Sequence, residues 1–161
     1  TMVFLRCSLL LLTIGAYLNV AYRWKDSYCT QPLARGNCSK SFPYWYYDQH
    51  VQNCKMFMYS GCGGNENRFS SEFSCQFYCL PSNKLKKIVC SRKQYGEKCY
   101  GRTETWYFDY NTNSCRQFDK GYCGLVPNRF NSCTECISRC SDADPKVSCT
   151  MLTPLAPRSH S

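Results

Sequence analysis

Histidine is nearly missing from this sequence: His50 and His160 are the only two in 161 residues. Without a base beside it, a serine or cysteine nucleophile lacks its usual activation, so no catalytic residues and no enzyme activity are expected. Charge is sparse as well. Asp, Glu, Lys and Arg make up 19% of the chain against 16% aromatic residues, which excludes a disordered charged polymer. The apolar run Ser8–Val20 is 13 residues long, short of the roughly 20 a helix needs to cross a bilayer. With Met2 and Arg6 before it and Ala16 or Ala21 available at a cleavage point, 1–21 is expected to be a secretory signal and the mature protein to be extracellular. Residues 22–28 then form a short N-terminal segment.

What the chain has in quantity is cysteine, 15 residues in all. Cytosolic reductants would hold so many thiols reduced, whereas an oxidising compartment pairs them. Removal of the signal takes Cys7 away and leaves an even 14. Zinc and other metals are therefore not expected, since the thiols are accounted for as disulfides, and no cofactor is expected either. Cys133-Thr134-Glu135-Cys136 has the form of a redox Cys-x-x-Cys, but Cys136 belongs to the repeat described next and no βαβ pattern surrounds it.

From Cys29 the cysteines step by 9, 16, 8, 13 and 4 residues through Cys38, Cys54, Cys62, Cys75 and Cys79. From Cys90 the same steps run through Cys99, Cys115, Cys123, Cys136 and Cys140 at a constant offset of 61. This is a tandem repeat of one fold, 29–79 and 90–140. The joining segment 80–89 (LPSNKLKKIV) carries Lys84, Lys86 and Lys87, and the tail 141–161 is expected to be mostly disordered. Each copy spans 51 residues, too few for an apolar core alone, so crosslinks worth about 3 to 4 kcal/mol each on a loop-entropy model are needed.

Phe42–Asp48 and Asn53–Tyr59 read as the strands of a β-hairpin. Thr103–Asp109 and Ser114–Lys120 repeat it around Asn111-Thr112-Asn113, where asparagine tolerates a left-handed turn. A short helix closes each copy. Ser132 followed by Glu135 is a capping box, and Ser71 with Ser74 is the weaker counterpart. The fold class is thus small, disulfide-rich α+β: two tandem units, each a twisted hairpin plus a C-terminal helix.

The six-cysteine spacing, the aromatic hairpin, Gly61-Cys62-Gly63-Gly64 and the Asn67-Arg68-Phe69 before the helix resemble the Kunitz family of bovine pancreatic trypsin inhibitor. The tandem arrangement is similar to secreted proteins of tick saliva. Six cysteines alone allow 15 connectivities. The resemblance implies Cys29–Cys79, Cys38–Cys62 and Cys54–Cys75, then Cys90–Cys140, Cys99–Cys123 and Cys115–Cys136. Two mature cysteines remain, Cys133 and Cys149. A seventh bridge between them is expected, with an intermolecular bridge as the rival, and a monomer is the expected state.

The resemblance also implies a function: inhibition of serine proteases, with host clotting or inflammatory proteases as targets, by a loop that enters the active site like a substrate. The residue after the second cysteine fills the specificity pocket. In the first copy this is Ser39, followed by Lys40, where the family prefers a small residue. In the second it is Tyr100, followed by Gly101, a pair suited to a chymotrypsin-like slot. Glu97 and Tyr122 depart from the family's loop glycines, which Gly36 and Gly61 match in the first copy. Asn37-Cys38-Ser39 is formally a glycosylation sequon. The alternative is a non-inhibitory binding module, either an ion-channel blocker or a binder of heparin-like polyanions through the linker lysines, Arg92, Lys93 and Lys98. No nucleic-acid partner is expected.

Outside the cysteines, the copies share Trp45/Trp106, Tyr46/Tyr107, Asp48/Asp109, Phe57/Phe118, Gly63/Gly124, Asn67/Asn128, Arg68/Arg129, Phe69/Phe130 and Ser71/Ser132. None lies in the loop intervals 30–37 and 39–44 or their counterparts, so scaffold and recognition surface separate by comparison.

Overall fold

The computed structural model describes residues 27–100, 105–125 and 127–150. The expected signal segment, Gly101 and 151–161 lie outside the described residues. In the first module β1 (Phe42–Asp48) pairs antiparallel with β2 (Asn53–Tyr59), and α1 (Glu72–Cys79) packs across them. In the second, β4 (Trp106–Asp109) pairs with β5 (Ser114–Gln117) and α2 (Cys133–Cys140) closes the unit. An additional pair, β3 (Gly96–Lys98) with β6 (Tyr122–Gly124), carries the loop region of the second module. A short helix α3 (Pro145–Thr150) follows.

The two hairpin turns each need one left-handed residue. Asn113 takes it at φ +50°, as its side chain allows, and Gln52 takes the equivalent place at φ +48°. The second hairpin is shorter than the expected Thr103–Asp109 and Ser114–Lys120. Its ladder stops at Trp106 and Gln117, beyond which Phe118 donates its N–H to the Thr105 carbonyl (2.9 Å). Both helices start on serine caps, with Ser71 Oγ accepting from Ser74 N (3.0 Å) and Ser132 Oγ from Glu135 N (3.1 Å). The Glu135 carboxylate takes the N–H of Asn131 (2.9 Å), one residue before the usual capping-box partner.

The pair Asn67/Asn128 shows why scaffold positions repeat. Each is buried and extends the hairpin with side-chain atoms alone. Asn128 Oδ1 accepts from Phe108 N (2.9 Å), while its Nδ2 donates to the carbonyls of Phe108 (2.9 Å) and Arg92 (2.8 Å). Asn67 does the same to Tyr47 and Gln31. Asn128→Ala would strip a buried strand residue of both partners, so thermal unfolding should report a loss of about 2–4 kcal/mol. An unchanged melting temperature would show that water replaces the amide.

Seven disulfides join Cys29–Cys79, Cys38–Cys62, Cys54–Cys75, Cys90–Cys140, Cys99–Cys123, Cys115–Cys136 and Cys133–Cys149. The last ties the start of α2 to α3. The tail is therefore not mostly disordered over its first ten residues. Ser141 is buried and bridges Met56, Asp142 donates its N–H to the Met56 carbonyl (3.0 Å), and Cys149 is crosslinked. A polar, proline-containing composition gave no sign of this because the order comes from one covalent bond and from a strand edge belonging to the other module.

The modules form one continuous core. Phe57 and Tyr59 pack with Tyr46 on one face of the first hairpin, and Cys54 and Met56 pack with Trp45 on the other. The second cluster runs on into Cys90, Phe108, Phe130 and Ile137 of the second module. Consecutive Met56 and Phe57 are both fully buried, which a strand shows only when both its faces are covered. The position equivalent to Met56 is Gln117, which is exposed.

The linker is fastened rather than loose. Leu80 is buried, Lys86 N donates to Gln76 Oε1 (2.9 Å), and Glu72 accepts from the N–H groups of Val89 (3.3 Å) and Ser91 (2.9 Å). Arg139 of the second module reaches the same Glu72 carboxylate at 3.3 Å. Lys86 Nζ donates to the Gln52 carbonyl (2.9 Å), and its pKa is lowered by burial and, secondarily, by the charge of Arg139. Arg35 pairs with Asp142 across the junction. Burial pushes the Tyr46 phenol well above its ordinary range, with Asp48 and Asp142 adding to the effect.

Candidate functional site

In the first module the loop around the Cys38–Cys62 bridge rests on two left-handed glycines, Gly36 (φ +81°) and Gly61 (φ +104°). A Cβ on Gly36 would collide with the Cys62 carbonyl, so the position demands glycine twice over. Ser60 ties the two sides together. Its N–H donates to the Arg35 carbonyl (2.8 Å), its carbonyl accepts from Lys40 N (3.1 Å), and its Oγ accepts from Cys38 N (3.1 Å). Ser39 is exposed between these anchors, and Lys40 lies along Gly61 with its ammonium 6.0 Å from the centre of the Phe42 ring.

Beneath this loop Arg68 stacks on Tyr59 at 4.0 Å and donates to the Gly63 carbonyl (3.1 Å), which also accepts from Tyr59 Oη (2.9 Å). Sequence comparison identified Arg68/Arg129 as shared scaffold but missed its buttressing role. The available signal was the loss of its aromatic shelf: Tyr44 and Tyr59 become Thr105 and Lys120 in the second copy.

The second loop is built differently. Glu97 and Tyr122, which replace the loop glycines, lie in the regular extended β3–β6 ladder, where a side chain costs nothing. Neither position has the left-handed backbone of its counterpart. Gly124 N donates to Thr105 Oγ1 (2.8 Å), and the Phe118 ring lies so close over Gly124 that a Cβ there would collide with it. Cys99 N donates to the Gly121 carbonyl (2.9 Å), and the Cys99–Cys123 bridge closes the loop. At its tip Tyr100 is 91% exposed. Its expected neighbour Gly101 is outside the described residues.

The remaining sequence candidates separate from these loops. His50 lies at the far hairpin turn, its N–H on Asp48 Oδ1 (3.0 Å). Among the described residues no three His, Cys, Asp or Glu side chains are grouped to hold a metal ion. Arg92 and Lys93 line a cleft with Lys87, whereas Lys84 and Lys98 are not among its lining residues.

Comparison with known proteins agrees with this architecture. The model of the Kunitz/bovine pancreatic trypsin inhibitor domain matches twice, at 28–80 and 89–141. Amblin of Amblyomma hebraeum is 37% identical over 116 residues, which is 72% of this chain and 69% of that protein. Tissue factor pathway inhibitor 2 of Bos taurus is 33% identical over 75% of this chain and 51% of its own length. A solved complex between SmCI and human carboxypeptidase A4 aligns at 32% identity over 70% of this chain and 67% of that one, with a TM-score of 0.32. Two matches to the domain model, each enclosing the six cysteines, three disulfides, hairpin and helix described above, place this chain in the Kunitz/bovine pancreatic trypsin inhibitor family.

Proposed function

We propose that this protein is a secreted inhibitor of serine proteases whose second module presents Tyr100 to a chymotrypsin-like specificity pocket. The observation that carries the reading is Tyr100 itself, almost fully exposed directly after a cysteine that a disulfide and the β3–β6 ladder hold in place. A large apolar side chain displayed directly after a disulfide-anchored residue gains burial on binding, and the anchored Cys99 lowers the ordering cost. Family membership and a relative named for pathway inhibition support the inhibitory class. Seven disulfides support an oxidising, extracellular setting. Among the described residues no helix is long and apolar enough to cross a membrane.

The first module supplies a better-formed loop with a poorer tip. Ser39 fills little of any specificity pocket, and Lys40 stands one residue too late to reach the carboxylate of a trypsin-like one. Ser39→Arg combined with Lys40→Ala should create trypsin inhibition, tightening binding roughly a hundredfold or more through a desolvated charge pair. Tight trypsin binding by the unaltered chain through this loop would contradict the assignment of Ser39 as the tip.

The reading is tested by titrating the whole chain against trypsin-, chymotrypsin- and elastase-like proteases. Competitive inhibition of the chymotrypsin-like enzyme supports it. Inactivity against the entire panel would leave the scaffold as a binding module and overturn it.

A further inference from the structure

The linker and the second module enclose a cleft that the inhibitory loops do not use. Its lining is Lys87, Ile88, Arg92, Lys93, Tyr95 and Pro127, around a volume of about 580 Å³. Three of the six are cations and none is an acid. The ion pairs found among the described residues engage Arg35, Lys55, Arg116 and Arg139, and none of them reaches Lys87, Arg92 or Lys93.

The backbone that presents these cations is anchored. Glu72 holds Val89 and Ser91 on either side of buried Cys90, Asn128 holds the Arg92 carbonyl (2.8 Å), and Leu125 N donates to the Tyr95 carbonyl (2.7 Å). Lys86, which like Lys84 does not line the cleft, is occupied with the Gln52 carbonyl. Lys93 Nζ sits 5.8 Å from the centre of the Tyr95 ring, and that ring is 60% exposed. Three like charges are thus held around one concavity, with no acid among the described residues that line it.

We propose that this cleft binds a sulfated polysaccharide, with Lys87, Arg92 and Lys93 contacting sulfate groups and Tyr95 flanking a sugar ring. A lone sulfate would gain little from exposed, solvent-screened cations. A linear polyanion engages all three together and releases its condensed counterions. The disulfide content favours an extracellular polyanion over nucleic acid. The cleft also offers one aromatic residue, already covered on one face by Lys93, where sequence-tolerant grooves for single strands present several stacking platforms.

The site is independent of the proposed protease contact, and its test reads binding rather than inhibition. The full chain is titrated with a heparin octasaccharide between 0.05 and 0.3 M NaCl, roughly the range over which polyanion contacts are strongly salt-dependent. Lys87→Ala/Arg92→Ala/Lys93→Ala is compared with Lys84→Ala/Lys120→Ala/Lys146→Ala, which removes the same charge elsewhere. The cleft variant should lose about tenfold or more in affinity near physiological salt and lower the salt slope by about two to three contacts, while the control stays within about threefold. Lys93→Glu alone should reproduce the loss, and a desulfated octasaccharide should not bind. Equal losses in both triple variants, binding of the desulfated sugar, or tighter binding of single-stranded DNA of matched charge would each overturn the proposal.

Discussion

Tyr100→Ala should weaken inhibition of a chymotrypsin-like protease by about 2–4 kcal/mol, a roughly 30- to 700-fold rise in inhibition constant. The side chain is 91% exposed in the free protein, so its removal costs the fold almost nothing. In a complex it would become a central, fully desolvated anchor, the position where truncation is most expensive. The change should appear in the dissociation rate, since the substitution leaves the Cys99–Cys123 anchor in place. Tyr100→Phe should retain most of the affinity if apolar volume is what the pocket reads. Equal inhibition by wild type and Tyr100→Ala would show that this loop is not the contact.

Arg139→Ala should be the most damaging single change at the junction between modules. The Glu72 side chain is completely buried, and its carboxylate receives Arg139 Nη2 at 3.3 Å together with Val89 N, Ser91 N and Ser91 Oγ. Removing the guanidinium leaves a buried charge supported by neutral donors alone. Allowing for the 22% exposure of the Arg139 side chain, the cost should be about 2–4 kcal/mol. Amide exchange at Val89, Ser91 and Asp142 should accelerate, because these residues hold the modules together. Glu72→Gln in the same background should recover part of the loss, since an amide can still accept from Ser91 without carrying charge. A melting curve for Arg139→Ala that overlays wild type would mean that solvent already screens the pair.

The helix position occupied by Glu72 in the first module is Cys133 in the second. Both tether the chain that leaves their module. Glu72 holds 89–91 by hydrogen bonds, and Cys133 holds Cys149 by a disulfide. The covalent tether could be read from cysteine arithmetic, because two mature cysteines were left outside the repeat. The polar tether could not, because a glutamate at a helix start looks like an ordinary first-turn acid.

The tandem repeat, the first hairpin and both closing helices were legible because their causes are local. Cysteine spacing, strand-like aromatic runs and serine caps act over a few residues and repeat at a constant offset. Glu97 and Tyr122 mark the limit of that reading. As departures from loop glycines they signalled strain, yet the second module accommodates them in an extended ladder that its first-module counterpart does not form. Met56 is a second case: in sequence it is one apolar residue on a strand, and its complete burial comes from a segment about 85 residues away. The chain by itself determined the family and fold class of each module. Tertiary packing decided that the two modules share one core, that Lys86 of the linker makes a structural contact while Lys87 lines an open cleft, and that the start of the tail is part of the fold. Those outcomes depend on desolvation and hydrogen bonding between residues far apart in sequence, whose partners no local pattern records.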